Sequence, residues 1–545
     1  MAQVTKVLIA NRGEIARRIQ TACKEHGLQS VVVTSEADRN ALFVREAEEV
    51  EVIGPAPANQ SYLNIDKLIE AAKRSGCDAV HPGYGFLSEN YEFAKRVCDE
   101  GLTFIGPKPE TIKLMGSKTE ARAKALEADV PCTPGCPEGL SDRELAAFAG
   151  NIEYPVLIKA VGGGGGRGMR VARSEAELLE GLPLARGEAG KFFGNEAVFI
   201  EKFIEMPRHV EVQVFGDTHG NVLHFGTRDC STQRRHQKVI EEAPAPNLSD
   251  ELRERIHTAA VNVSKHVGYV GAGTVEFLVK DNDFYFLEMN TRIQVEHPVT
   301  EMVTGVDLVR LQLDVAQGNP IPFSQREVAF TGHAIEYRIY AEDAADNFRP
   351  ATGKIYSLCQ PHYEWIREDT AVEVGDEVSP HYDAMISKVI ITGKDRREAL
   401  ERSTSYFERY NITGIPTTVP FHRWFLTNRD FLHTPVDITY LERMFSGEEL
   451  TRFDAKLHLD SHHKLMNDGT EFIEQRLYTR QDRSFSIPLQ IRHLQDGTFL
   501  VSPIDRAGRL PMEAFCRRSN CLKTAMHHLV EDVLEKEPLE TIFGA

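Results

Sequence analysis

Short apolar runs separated by turn residues open the chain. Val7-Leu8-Ile9-Ala10 reads as a buried strand and Asn11-Arg12-Gly13 as a turn, with Ile15, Ile19 and Cys23 at helical spacing behind it. Ser30-Val31-Val32-Val33 follows as a second strand, and Asp78-Ala79-Val80-His81 and Thr103-Phe104-Ile105-Gly106 continue the series. Strands alternating with helices in this way predict a parallel, doubly wound α/β sheet. No nicotinamide site is expected on it, because Asn11-Arg12-Gly13-Glu14 carries one glycine where the dinucleotide fingerprint uses three.

Residues 131–137, rich in Pro, Cys and Gly, mark a boundary. From Tyr154 the pattern becomes strands joined by hairpins, with a helical segment over 175–190. Past Arg338, strands are expected near 354–357 and 385–391 and a helix near 398–410. After about residue 446 the character shifts again. Asn467-Asp468-Gly469 and Gln495-Asp496-Gly497 are hairpin signals between alternating apolar residues, and a helix is expected over 522–535.

Composition narrows the classes. A length of 545 residues exceeds one hydrophobic core, so three or four domains are expected. Hydrophobic residues at 41% and charged residues at 26% exclude wholesale disorder, collagen and coiled coil. The net charge of −18 argues against sequence-independent nucleic-acid binding, but not against a local basic pocket for a small anion. No apolar run approaches the ~18 residues of a membrane span, and no secretory or transit pattern stands before Val7. Neither nucleic acid nor membrane is expected as a partner. Nine scattered cysteines suggest free thiols, so the expected location is cytoplasmic. Cys132 and Cys136 lie close together, but no second pair follows at zinc spacing.

Three segments carry candidate chemistry. Val156 to Ala160 reads as a strand holding Lys159, Gly162 to Gly166 are five consecutive glycines, and Met169-Arg170-Val171 looks like a return strand. A Walker loop would need Gly-Lys-Ser/Thr opening a helix, so a glycine hairpin lid able to close over phosphates is expected instead. Gly273 to Val279 and Phe284 to Asn290 read as a hairpin about Asn282, which sets Glu276 opposite Glu288. Opposed carboxylates destabilise a sheet unless a divalent cation lies between them, and two carboxylates with the Asn290 amide oxygen suit Mg²⁺. Beyond the hairpin, Glu288, Asn290, Arg292, Gln294 and Glu296 share one parity, so an extended chain would line them along one side. The third segment, Arg228 to Lys238, is densely basic, and a compensating surface patch is a fair reading for Arg234 or Arg235. Cys230 within it is read as structural.

These pieces, in this order, resemble biotin carboxylases. The resemblance rests on Lys6 to Ala16, His81-Pro82-Gly83-Tyr84-Gly85-Phe86-Leu87-Ser88-Glu89-Asn90, the five-glycine run, Arg234-Arg235-His236-Gln237-Lys238 and, most specifically, Glu288 to Glu301. It covers roughly residues 1–446 and implies an ATP-grasp fold. The implied division is a Rossmann-like domain at 1–115, an ATP-grasp domain at 116–330 with a lid at about 132–203, and a C-terminal domain at 331–446. A small β-rich extension at 447–545 has no assigned role.

The resemblance also implies roles. Lys118 and Lys159 would contact ATP phosphates, and Gly165 and Gly166 belong to the lid. Glu201, Lys202, Phe203 and Ile204 would hold the adenine, aided by His209 and His236. Glu276, Glu288 and Asn290 would hold Mg²⁺ or Mn²⁺. Lys238, Arg292, Gln294 and Val295 would form the bicarbonate site, with Glu296 as general base and Arg338 steadying a biotin enolate. The implied reaction is ATP- and bicarbonate-dependent carboxylation of biotin through carboxyphosphate. No Ala-Met-Lys-Met type of biotin attachment site occurs in the sequence. A separate biotin carboxyl carrier protein and a carboxyltransferase subunit are therefore expected, with self-association as a homodimer or higher oligomer. The acceptor is left open among acetyl-CoA, another acyl-CoA and pyruvate. Two other readings remain at this point. One is a different ATP-grasp ligase joining a carboxylate to an amine, and the other is a non-catalytic scaffold subunit.

Overall fold

The computed structural model describes residues 4–161 and 169–450, followed by the backbone of four strands, Glu471–Tyr478, Ser484–His493, Phe499–Pro503 and Arg517–Ser519. The chain begins as the alternating pattern predicts. Val50–Gly54, Gln29–Ser35, Lys6–Ile9, Ala79–His81 and Thr103–Phe104 form one parallel sheet in that spatial order. Gly13, at φ +67, lets the chain turn from the first strand into helix Gly13–Glu25, which buries Ile15, Ile19 and Cys23. The edge strand Val50–Gly54 escaped the sequence reading. Only Ile53 in it is buried, while Val50 and Val52 face solvent, so its apolar alternation points the wrong way for a core strand.

Two further sheets frame the centre. A three-stranded antiparallel sheet pairs Val156–Ala160 with both Met169–Ala172 and Val198–Lys202. Helices Asp142–Ile152 and Glu175–Phe193 cover it, and Leu145, Ile158, Leu178, Leu182 and Ile200 form its own small core. Residues 131–136 tie this unit to the larger sheet at both ends. The Phe286 amide donates to the Pro131 carbonyl at 2.7 Å, and the Lys202 amide to that of Pro134 at 2.7 Å.

The larger sheet has eight strands, in the order Asp283–Asn290, Gly271–Lys280, Arg208–Gly216, Val222–Arg234, Gln237–Ala243, His333–Tyr340, Met385–Gly393 and Ile366–Thr370. It runs without a break across the boundary expected at 330/331, since Glu241 pairs with Glu336 and Glu242 with Ile335. One face of its far end packs on helices Arg396–Phe407 and Val419–Phe425 through Tyr337, Val389, Ile391, Phe407, Phe421 and Phe425. Each such side chain contributes about 1.5–3 kcal/mol on burial. That end is therefore a firm platform for the polar face described next.

The strands after residue 470 form an antiparallel sheet in sequence order. His493 pairs with Phe499, so the expected hairpin at Gln495-Asp496-Gly497 closes there, although the turn itself lies outside the described residues. The turn expected at Asn467-Asp468-Gly469 and the helix expected over 522–535 also lie outside them. Among the described residues no helix is long and apolar enough to cross a membrane.

Candidate active site

The hairpin Gly271–Lys280/Asp283–Asn290 opposes Glu276 and Glu288 as expected, but by a different route. Its loop is Asp281-Asn282, with Lys280 paired to Asp283. That register alone would set Glu276 against Leu287. One extra residue, the exposed Leu287, shifts the register between Phe277↔Phe286 and Glu276↔Glu288, and this bulge brings the carboxylates opposite each other.

The row of charge extends further. Glu276 also pairs in register with Glu211 on Arg208–Gly216, and Glu211 with Arg228 on Val222–Arg234. Three glutamates thus stand side by side across three strands, an arrangement that repels itself unless cations are built in. They are. Arg228, fully buried, donates to Glu211 Oε1 at 2.5 Å, to Gln213 at 2.7 Å, and to the hydroxyls of Thr274 and Thr300 at 3.0 Å. Lys238 Nζ lies 2.7 Å from Glu211 Oε2, 3.0 Å from Glu276 Oε1 and 2.6 Å from Glu296 Oε1. His209 Nε2 lies 3.0 Å from Glu276 Oε2.

The two opposed carboxylates respond oppositely. Burial works against ionising either one. Lys238 and His209 nonetheless hold the Glu276 carboxyl well below the usual range. Glu288 is pushed up by burial and by the charge of Glu276, with only Lys118 and His209 opposing. Glu288 takes no hydrogen bond from a described residue. A divalent cation between the pair would relieve that repulsion with oxygen ligands, so the residues present fit Mg²⁺ or Mn²⁺. The amide of Asn290 is turned with Nδ2 toward Glu276 Oε1 at 2.8 Å and Oδ1 toward Arg292 at 3.2 Å. Rotation of that amide would present its oxygen to the cation.

The extended run expected beyond the hairpin stops at Asn290, where the strand ends. The chain then turns, and Glu296 stands just before helix His297–Thr304. Folding, rather than parity, gathers the side chains. Arg292 donates to Glu89 at 2.8 Å and to Gln294 at 2.9 Å, and Gln294 Nε2 donates to Glu276 at 3.3 Å. Glu296 is clamped between Lys238 and Arg338, whose Nη2 is 2.9 Å from Oε2. Burial disfavours its charge, but Lys238, Arg338 and Arg228 outweigh that and hold its carboxyl well below the usual range. Arg338 also binds Glu241 at 2.5 Å. Burial pushes the Glu241 carboxyl up to about 7 despite that partner.

The nucleotide candidates form a second group on the three-stranded sheet. Lys159 Nζ lies 2.6 Å from Glu201 Oε2, Lys202 Nζ caps the Glu153 carbonyl at 3.0 Å, and the Phe203 amide donates to Pro155 at 3.1 Å. Phe203 and Ile204 are half-buried where the chain leaves that sheet. Lys118 is exposed at the start of helix Lys118–Glu127. Gly165 and Gly166 lie outside the described residues. His236 stands exposed at the two-residue tip between Arg234 and Gln237, with Arg235 and His236 both at positive φ (48° and 66°), while His209 meets Gln233.

The segment 228–238 is therefore two strands of a hairpin, and of the two residues read as a surface patch Arg235 is exposed at the tip beside His236 while Arg234 is partly buried. Cys230 is fully buried, its sulfur 4.0 Å from Glu296 Oε1, and burial raises its thiol well above the ordinary value. Sequence reasoning missed Glu211, Arg228, Glu241 and Glu89. A signal for Glu211 exists in His209-Val210-Glu211-Val212-Gln213, whose polar members share one face.

The chain matches three family descriptions: "Biotin carboxylase, N-terminal domain" over residues 3–112, "Carbamoyl-phosphate synthase L chain, ATP binding domain" over 117–324, and "Biotin carboxylase C-terminal domain" over 336–443. It is 50% identical over 447 residues to the biotin carboxylase of Haemophilus influenzae, covering 82% of this chain and 99% of that one. It is 53% identical over 421 residues to the mitochondrial methylcrotonoyl-CoA carboxylase subunit alpha of Mus musculus, covering 77% of this chain and 59% of that one. The chain thus spans about three fifths of the latter's length. The biotin carboxylase domain dimer of Hydrogenobacter thermophilus 2-oxoglutarate carboxylase, solved with MgADP, ADP and bicarbonate, superposes with a TM-score of 0.77 at 43% identity, over 81% of this chain and 98% of that one.

Proposed function

The chain belongs to the biotin carboxylase family, and on that premise we propose that it carboxylates biotin at the expense of ATP and bicarbonate. The observation that carries the reading is the continuous polar cluster Glu288–Glu276–Lys238–Glu296–Arg338 on one face of the eight-stranded sheet. A carboxylate–amine ligase would share the opposed glutamates, but it would leave the Glu296–Arg338 clamp without a task. The family's relation to ATP-grasp enzymes supports ATP held between the three-stranded sheet and the larger one, with Lys118 and Lys159 on its phosphates. Glu201, Lys202, Phe203, Ile204, His209 and His236 would border the adenine, and Gly165 and Gly166 the phosphates. The domain division is proposed at 1–115, 116–330, 331–446 and 447–545, with the large sheet shared by the middle two.

Bicarbonate would sit among Lys238, Arg292, Gln294 and the backbone of Val295. Glu296 would take its proton, and the oxyanion would attack the γ-phosphorus of ATP, releasing ADP and forming carboxyphosphate. A divalent cation on Glu276, Glu288 and Asn290 would neutralise phosphate charge during that transfer. Carboxyphosphate splits to CO₂ and phosphate. The phosphate takes the ureido proton of biotin, Arg338 holds the enolate oxygen, and the nitrogen adds CO₂ to give carboxybiotin. Closure over the site excludes water from the labile intermediate.

Biotin would arrive on a carrier protein and leave for a carboxyltransferase subunit, whose own site selects the acceptor. Tethering raises the effective concentration of biotin at both sites. A homodimer and a cytoplasmic location complete the proposal. ATP turnover assayed with and without bicarbonate and free biotin tests it. Bicarbonate-dependent turnover stimulated by biotin is expected; turnover indifferent to both defeats the reading.

A further inference from the structure

Lys388 is fully buried on Met385–Gly393, in register with Arg338 on one side and Asp369 on the other. Arg338 grips the Glu296 carboxylate, while Lys388 Nζ donates to the carbonyl of Val295, one residue earlier, at 2.8 Å. Two cations from neighbouring strands therefore hold consecutive residues of one turn. Lys388 lies 3.1 Å from Glu14 Oε1 at the start of helix Gly13–Glu25 and 3.8 Å from Asp369 Oδ2. Glu336, on the same strand as Arg338, is fully buried with both carboxylate oxygens lacking a hydrogen-bond partner.

Taking an ammonium out of water is costly, and Lys388 meets Glu14 at 3.1 Å while Asp369 already has Arg367 at 2.8 Å, so neutralisation alone does not account for a lysine here. Neutral residues of similar size would serve packing as well. What only a cation at this place supplies is a strong, directed hydrogen bond to a carbonyl inside the Gln294-Val295-Glu296 turn. The Val295 side chain is aliphatic, so an anion can meet that residue only at its N–H. Fixing its carbonyl fixes ψ at Val295, and with it the angle between that N–H and the Glu296 side chain. Lys388 is in turn steadied by Glu14 from the parallel-sheet domain, so the bicarbonate turn is aligned from two domains at once.

We propose that Lys388 is a positioning residue, which orients the Val295 backbone and Glu296 toward bicarbonate through its hydrogen bond to the Val295 carbonyl. The proposal rests on the reading of that turn as the bicarbonate site. Lys388→Met, the charge-neutral double variant Glu14→Gln/Lys388→Met, and Lys388→Arg should be compared in the full chain. In both Met variants the KM for bicarbonate rises at least tenfold with the KM for ATP unchanged, and Lys388→Arg recovers part of the loss. A purely structural lysine would lower melting temperature and leave the ratio of the two KM values as in wild type, which overturns the proposal. Failure of all three variants to fold overturns it as well, since Lys388 is then a folding residue. Wild-type turnover indifferent to bicarbonate removes the parent reading and this one together. Bicarbonate-dependent wild type with unchanged bicarbonate KM in the variants removes this one alone.

Discussion

Arg228→Met isolates the cost of holding the carboxylate row together. The guanidinium is fully buried and makes four side-chain contacts, to Glu211, Gln213, Thr274 and Thr300. Methionine fills much of the same volume, so the loss is electrostatic and not a cavity. Glu211 retains Lys238 at 2.7 Å and His209 at 3.8 Å but loses its nearest cation while still facing Glu276 in register. Removing one partner of a buried pair costs about 3–5 kcal/mol. Amide hydrogen exchange in Arg208–Gly216 and Val222–Arg234 reads it locally. At about 1.4 kcal/mol per tenfold, exchange there should accelerate by roughly two to three and a half orders of magnitude. Adding Glu211→Gln removes the stranded charge and should restore at least about 1 kcal/mol. Exchange within about tenfold of wild type, or a double variant no better than the single one, would refute the account of Arg228 as the counter-ion of the row.

Three other outcomes are expected. Glu288→Gln removes one of the opposed carboxylates, so it should melt above wild type in chelator; Mg²⁺ should then raise the wild-type melting temperature but not that of the variant, and an equal rise in both would exclude Glu288 as a ligand. Burial opposes the charge of Glu242, yet His333 at 2.8 Å and Arg396 at 2.7 Å lower its carboxyl from 4.5 to about 2. A lowered acid stabilises above its unfolded value and loses that contribution as pH falls, so the stability gap between wild type and Glu242→Gln should close between about pH 4.5 and 2; a gap that persists in full at pH 2 counts against it. His236→Gly should stabilise the chain by about 1 kcal/mol, because a two-residue turn with positive φ favours glycine, and a lower melting temperature would show that the histidine side chain holds the hairpin.

Legibility in the sequence followed periodicity. The parallel strands were readable because they are buried on both faces, whereas Val50–Gly54 was not, since most of its apolar side chains point to solvent. The Glu276/Glu288 pairing was reached by folding about Asn282, and it holds because a bulge at Leu287 offsets a loop centred half a residue away. Nothing local to Phe286-Leu287-Glu288 announces that bulge. The basic run 228–238 was legible only in part, for a related reason. Density of charge in sequence says nothing about which members face inward, and Arg228 and Lys238 do while Arg235 does not. Motif resemblance carried Glu296 and Arg338 into one site, although they lie 42 residues apart and meet only through the pairing of distant strands.

The partners that resemblance did not supply, Glu211, Arg228 and Glu241, are all counter-charges, and their presence bears on how the site would work. Lys238 is shared by three carboxylates and Arg338 by two, so each cation is already satisfied before any substrate arrives. An entering anion must therefore displace a carboxylate from Lys238 and cannot simply fill an empty pocket. If bicarbonate takes Lys238, Glu296 loses its 2.6 Å partner and keeps only Arg338. The interaction that depresses its carboxyl most then weakens, and its affinity for a proton rises. In the proposed reaction the base is thus strengthened by the substrate it deprotonates. On that reading, Glu296 without bicarbonate would stay in its ion pairs and accept a proton poorly, which would couple proton removal to occupancy of the site.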